Sequence, residues 1–486
     1  MAGVAKQTVV LTAARFANYG LMVISPIILA RMLSVEQFGQ YRQFMIFASF
    51  LQLVAAFSFA ESLLYFVPKY SGSIWRVIDQ TNLLVLLASV AVALVLAVSD
   101  LVSGGALVGR DLLPLIAYIL TVVNLDFWEY FFLARNRPAS VVTYTVCRLA
   151  ARMLVVITVA YLTRDVRVII WSLVLLETLR LLAAAAAWRL MDRASGEATV
   201  PGLLGEQLRF CVPTGLAMLL FMANRNLGAL AVTKTLGAVA LAHYTIGTYA
   251  DYVYLVVGNT IAAVILPEMV RRDMHSREDA VGLWRKTTVV NTLLLLPAAT
   301  LLARFAKPLI VGVFHAEYLA SVPVLQIHML FLVRACVDFA PALRAVSVTR
   351  PLIYSNMAAF LTNAVLLTIL IPRMGIKGAV TALVVSSFVE AVVLARWTSK
   401  TYRITLRKLI PIAGMSKVLL ATAAGAVVII APVWNDVHFT GVILASGCFY
   451  AVVVLVVVLL KIEEAQFLWS RLRNFALTLR GSTLRA

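Results

Sequence analysis

The chain is a succession of apolar runs broken by short polar stretches, and most runs approach the 20 or so residues that a helix needs to cross the hydrocarbon core of a bilayer. Fourteen spans are predicted. Seven fall at 8–30, 44–67, 83–98, 112–133, 141–162, 168–188 and 208–231. The other seven fall at 238–266, 288–305, 321–346, 353–371, 379–396, 412–433 and 439–460. The third and ninth runs are short and weakly marked. About 24 Lys and Arg lie in the terminal and even-numbered loops, against about 10 in the odd-numbered ones, and basic loops stay on the cytoplasmic side. This predicts a multi-pass protein of the cytoplasmic (inner) membrane with both termini in the cytoplasm. Beyond 460, Leu468, Leu472, Phe475 and Leu479 recur at helical spacing among arginines, which fits an amphipathic helix on the cytoplasmic surface or a solvated tail.

Composition turns this pattern into an exclusion. Hydrophobic residues make up 62% of the 486 positions and charged residues 13%, with a mean hydropathy of +0.93. A soluble domain is roughly half apolar and about a quarter charged, so water cannot be the solvent of most of this surface. The net charge of +19 does not mark a nucleic-acid partner, because the basic residues sit in loops beside anionic headgroups. The first apolar run is long enough to span and reads as a helix rather than a cleaved leader.

The sequence also repeats. Arg137-Pro138 and Arg350-Pro351 open the fifth and eleventh spans, and Glu177 and Glu390 lie inside the sixth and twelfth. Both pairs are about 213 positions apart. The predicted organisation is an N-terminal six-helix lobe at 1–190, a cytoplasmic linker at 191–206 and a second six-helix lobe at 207–400. Two further helices follow at 401–460, then the tail at 461–486. Six spans return the chain to the side it started from, so the lobes should be related by an axis along the membrane normal, with a cavity between them.

Charges inside the spans are the candidate chemistry. The arginines are Arg15, Arg148, Arg152, Arg180, Arg225 and Arg334. Each costs about 2.5–3.5 kcal/mol at mid-helix, so six facing lipid would cost on the order of 15–20 kcal/mol. They are expected to face a hydrated passage or an acidic partner. Arg148 and Arg152, four apart, share one helix face, and such like charges repel unless an anion or acids from other helices stand between them. Glu177 with Arg180, and Arg334 with Asp338, are spaced to form internal ion pairs. Guanidinium groups grip phosphate oxygens in a planar, two-pronged geometry, so surplus arginines point to an anionic headgroup such as phosphate or pyrophosphate. Asp251, Asp338 and Glu390 lie near mid-membrane, open to structural pairing or to coupling with a proton or sodium ion. Glu61 and Glu129 fall near cytoplasmic helix ends.

Several stretches resemble the polysaccharide flippase family (O-antigen and exopolysaccharide type) of the multidrug/oligosaccharidyl-lipid/polysaccharide (MOP) exporter superfamily. Leu33-Ser-Val-Glu-Gln-Phe-Gly39-Gln-Tyr41 is similar to that family's first loop, and Phe210-Cys-Val-Pro213 through Leu236-Gly to His243-Tyr244 to the start of its second half. Phe314-His-Ala-Glu317-Tyr318 resembles the loop before its tenth span. Ile371-Pro372-Arg-Met-Gly375-Ile-Lys-Gly378 resembles its eleventh-to-twelfth connection. His243 and His315 stand where that family often has glycine. The resemblance implies an all-α flippase that moves isoprenoid-pyrophosphate-linked oligosaccharide to the outer leaflet by alternating access. Its partners would be that substrate, membrane lipids and the polymerase and assembly proteins of polysaccharide synthesis.

A lipid II flippase and a cation-coupled drug exporter of the same superfamily remain alternatives, although a cationic passage would repel cationic drugs. A membrane glycan polymerase or ligase would need a long external loop, and no loop between spans exceeds about twenty residues. No phosphate-cradling glycine loop or nucleophile elbow is present. Cys147, Cys211, Cys336 and Cys448 and the five histidines are scattered without metal-ligand spacing. No catalytic residue, metal or cofactor is therefore expected.

Overall fold

The computed structural model describes residues 20–464, apart from 21–22, 106–108, 136, 191–199, 274–275, 347, 349 and 436. Arg15, most of the first predicted span, most of the predicted linker and nearly all of the tail lie outside the described residues. Within them the chain is helical and has no strand. It forms two compact units, one up to Ala242 and one from His243 onward.

The first unit contains α1 (Val23–Met32), α2 (Val35–Ala56), α3 (Phe59–Lys69) and α4 (Ile74–Val102). It continues with α5 (Leu112–Ala134), α6 (Pro138–Thr163), α7 (Val166–Leu190) and most of α8 (Leu203–Gly247). Ser34 caps α2 by accepting from the Gln37 N–H, while the Gln37 side chain accepts from the Ser34 N–H, a reciprocal arrangement that ties off two orphan donors. This gives the first-loop motif its Ser-x-x-Gln spacing. Gly39 follows because a Cβ there would lie 2.0 Å from the carbonyl oxygen of Ala238 on α8. Beside Ala238, Gly237 adopts φ 83°, a bend in α8 that separates the predicted seventh and eighth spans. The second predicted span is also broken. Phe57 and Ser58 take positive φ between α2 and α3, and α8 covers the break, with Cys211 Sγ beside the Ser58 carbonyl and Gly215 against Phe57. Helix α5 is central, packed against α2, α3, α4, α6 and α7.

The second unit contains α9 (Asp251–Asp273), α10 (Arg277–Arg304), α11 (Ala306–Val313), α12 (Val322–Ala335) and α13 (Ala340–Ala345). It ends with α14 (Arg350–Met374), α15 (Ile376–Tyr402), α16 (Leu406–Leu409), α17 (Ile412–Ile430) and α18 (Phe439–Leu459). Here α10 is central, touching α9, α12 and α17. Helices α14 and α15 form a hairpin, and α17 pairs with α18. His315 has φ 178°, extended backbone that any residue adopts, so glycine is not required there. His243 uses its ring instead, with Nδ1 3.3 Å from Ser321 Oγ.

Twelve described helical segments are long and apolar enough to cross a membrane, and the shorter α1 overlaps the first predicted span. One of the twelve, Leu203–Gly258, contains the bend at Gly237 and covers the predicted seventh span and much of the eighth. The weakly marked third and ninth runs belong to α4 and α10, 29 and 28 residues long. Their first two turns carry Arg76, Asp79, Glu278 and Asp279, which an apolar count leaves out. Lipid-facing surface is evident on the outer helices: Leu94 is 60% exposed, Leu444 67% and Val427 72%. The chain is thus an all-α polytopic membrane protein.

Candidate functional site

The ionisable side chains of the first unit converge around α5. Asp126 and Glu129, three apart, point from one face of α5 toward α6. Arg148 of α6 fits between them, with Nη1 2.8 Å from Asp126 Oδ1 and Nη2 3.5 Å from Glu129 Oε2. The second oxygen of Asp126 accepts from Gln52 of α2. On α7, Glu177, only 2% exposed, pairs with Arg180. Arg180 also donates to Tyr144 Oη at 3.0 Å, and Tyr144 donates to the Leu125 carbonyl at 2.9 Å. Arg148 and Arg180 are therefore each neutralised by carboxylates, as partly buried charges must be.

Arg152 differs. It lies one turn beyond Arg148 on α6, half-buried, 3.3 Å from Met45 Sδ, hydrogen-bonded to the Tyr41 hydroxyl and 5.7 Å from the Tyr118 ring centroid. Among the described residues no carboxylate comes within 4.0 Å of it. The Tyr41 hydroxyl takes one donor, a thioether is a weak acceptor, and a ring face attracts a cation without satisfying its fork of N–H donors. Arg152 thus retains unspent donors for an anion, which Arg148 and Arg180 on the neighbouring turn and helix do not.

In the second unit, Arg334 is buried on α12. Its Nη2 lies 2.9 Å from Glu390 Oε2 of α15, and its Nε donates to the Ser387 carbonyl at 2.9 Å. The spacing on α12 predicts Asp338 as its partner, but the helix ends at Ala335, so Asp338 no longer sits one turn above. Asp338 Oδ1 instead accepts from the Ala340 N–H at 3.0 Å. Asp251 begins α9 and lies 2.8 Å from Nε2 of His328, a fully buried side chain stacked on Phe331. Nδ1 of His328 is buried without a partner. Arg225 lies half-buried on α8.

The predicted residues thus separate into a first-unit group (Arg148, Arg152, Arg180), a locked pair (Arg334 with Glu390), two further acids (Asp251 and Asp338) and Arg225. The spacing pair Glu177–Arg180 is present. Sequence reasoning missed two groups. His328 is one, whose carboxylate partner comes from a different helix. Gln207 is the other: it is fully buried, donates to Ser62 at 2.9 Å and Thr81 at 2.7 Å, and accepts from Gln80 at 2.9 Å. A glutamine inside an apolar run was the available signal for it. No group of three or more His, Cys, Asp or Glu able to hold a metal occurs among the described residues.

Known proteins sharpen this picture. A lipid II flippase, MurJ, in an inward closed conformation superposes with a TM-score of 0.72 at 15% identity, covering 92% of this chain and 98% of that one. An inward-facing multidrug MATE transporter of the MOP superfamily gives 0.60 at 12% identity, covering 80% and 95%. A MATE transporter in complex with MaD5 gives 0.54 at 13% identity, covering 83% and 97%. At these identities the likeness is one of fold. No curated protein matches the sequence. Residues 28–323 match the family described as polysaccharide biosynthesis protein. That match covers more than half of the chain, which therefore belongs to the polysaccharide biosynthesis protein family and carries the fold of MOP-superfamily transporters.

Proposed function

We propose that this protein is a flippase that carries isoprenoid-pyrophosphate-linked oligosaccharide from the cytoplasmic to the outer leaflet of the inner membrane by alternating access, without covalent chemistry. The observation that carries this reading is Arg152, a guanidinium at membrane depth with unspent donors, in a chain of the polysaccharide biosynthesis family. Arg148 and Arg180, held by their acids, fix the α6 face on which Arg152 stands. A pyrophosphate oxygen pair would complete the Arg152 fork while the polyprenyl chain stays in lipid. Arg15 and Arg225 are further headgroup contacts in this reading, and Arg334 is a structural residue. Return of a proton or sodium ion is assigned to Asp251, with His328, and to Asp338. Glu390, tied to Arg334, is given a structural role.

The test is flipping of lipid-linked oligosaccharide in proteoliposomes. A charge-assisted hydrogen bond contributes about 1.5–3 kcal/mol, so Arg152→Ala should slow flipping by roughly ten- to a hundredfold. Arg152→Lys, which keeps charge but loses the fork, should fall between. Both variants should fold, since Arg152 is not part of an ion pair. Undiminished flipping in Arg152→Ala would remove the anion contact from the mechanism. Running lipid II beside a longer lipid-linked glycan separates the two flippase readings.

A further inference from the structure

Four helix ends of the first unit bring arginines and tryptophans together: the start of α4 (Trp75, Arg76), the end of α5 (Arg135), the start of α6 (Arg137) and the end of α7 (Trp188, Arg189). Aromatic contacts join three of these ends into one patch. Trp75 and Trp188 meet edge to face with centroids 5.8 Å apart, and Phe131 of α5 lies 6.2 Å from both. The topology expected from the loop charges puts this patch at the cytoplasmic surface of the membrane. We propose that it is a binding site for the headgroup of one anionic phospholipid of the surrounding leaflet. The site goes beyond the flippase reading and stands whether or not the chain moves lipid-linked glycan.

Arg135 is the central group. It is half-buried, with Cζ 5.4 Å from the ring centroid of Trp75 and 5.9 Å from that of Phe131. The two rings attract the charge and fix where it stands, but they do not satisfy its five N–H donors. The turn from α5 to α6 is closed by the Arg137 N–H, which donates to the Phe132 carbonyl at 2.9 Å. Arg137 is the N-cap of α6, makes no side-chain cap bond and is exposed. Arg189 is exposed as well. Among the described residues no carboxylate comes within 4.0 Å of Arg135, Arg137 or Arg189.

The nearby acids are engaged or outnumbered. Glu129, farther inside α5, is taken up by Arg148, and Glu206 by Lys69 and Tyr70. In the last turns of α5 and α7 and the first two turns of α4 and α6, Asp79 is the only acid. Four guanidinium groups therefore share one carboxylate, and the surplus positive charge calls for an anion from outside the chain.

A phospholipid fits this place better than a soluble anion does. Its phosphodiester carries one charge on oxygens that match a guanidinium fork. Leu133 and Leu190, on the turns that carry Arg135 and Arg189, are exposed and give the acyl chains an apolar wall. Tryptophan settles at the same depth, with its ring toward the chains and its N–H toward the headgroups. A free anion gains nothing from the leucines. A basic pocket between helix ends on the cytoplasmic side is where anionic headgroups collect.

The experiment is native mass spectrometry of the purified full chain, titrated in detergent with phosphatidylglycerol or with phosphatidylcholine of the same acyl chains. The first phosphatidylglycerol is expected to bind about tenfold more tightly than phosphatidylcholine. Arg135→Ala should weaken it by roughly fivefold or more and leave phosphatidylcholine unchanged. Should that variant fail to fold, Arg137→Ala combined with Arg189→Ala, which removes two exposed charges and no ring contact, must weaken it instead. Arg407→Ala takes an exposed arginine from α16 in the second unit and should change nothing. Equal binding of the two lipids would overturn the proposal. So would an equal loss in Arg407→Ala, the mark of diffuse attraction to every basic loop. Displacement of the lipid by millimolar inorganic phosphate would also overturn it, because the site would then be one for a soluble anion.

Discussion

Changing Glu390 to glutamine removes the charge that faces Arg334 while keeping the shape of the side chain. The pair is close, 2.9 Å from nitrogen to oxygen, with the Arg334 side chain 6% exposed and that of Glu390 24% exposed. Breaking a buried ion pair by removing one partner costs about 3–5 kcal/mol because the other charge is left buried. The partial exposure of Glu390, and the amide oxygen that glutamine retains, place Glu390→Gln near ~2–3 kcal/mol. Arg334→Met should cost about 3 kcal/mol, and more if the Ser387 carbonyl is left without a donor. The double variant Arg334→Met with Glu390→Met should return to within ~1 kcal/mol of wild type, since replacing a buried pair by apolar side chains of similar volume is often neutral. Denaturant unfolding in mixed micelles, followed by tryptophan fluorescence, gives all three values and closes a double-mutant cycle. A Glu390→Gln protein as stable as wild type but unable to flip substrate would refute the structural assignment and make Glu390 an ion-coupling group.

Gly39→Val pushes a branched side chain into the Ala238 carbonyl, a backbone atom that cannot swing aside. We expect a loss of several kcal/mol (~3 or more), read as failure to recover monodisperse protein; normal recovery would mean that α2 and α8 are not in contact there. Gln207→Leu removes three side-chain hydrogen bonds inside the first unit. At about 1 kcal/mol each, it should lower unfolding stability by ~2–4 kcal/mol, whereas Lys69→Ala, which breaks the more exposed bridge to Glu206, should leave stability nearly unchanged.

The helices were largely legible because lipid imposes one rule on every span: enough apolar length with all backbone groups satisfied internally. What the rule does not encode was harder to read. The break at Phe57–Ser58 costs the hydropathy pattern nothing, since the flanking residues stay apolar, whereas the bend at Gly237 follows the polar stretch Thr233-Lys234-Thr235 and falls between two predicted spans. Ion pairs within one helix, such as Glu177–Arg180, follow from spacing. Pairs between helices, such as Arg148 with Asp126 and Arg334 with Glu390, need to know which helices touch. The expectation that Arg334 would meet Asp338 presumes that α12 continues for another turn, and it does not.

The interruption between α2 and α3 has a mechanical consequence for α8. Peptide groups released from a helix at membrane depth must be shielded by protein, and at Phe57 and Ser58 the shield is the stretch around Cys211 and Gly215. Peeling that stretch away would strand polar backbone against acyl chains, so the front part of α8 is bound to ride with the helices it covers through any conformational cycle.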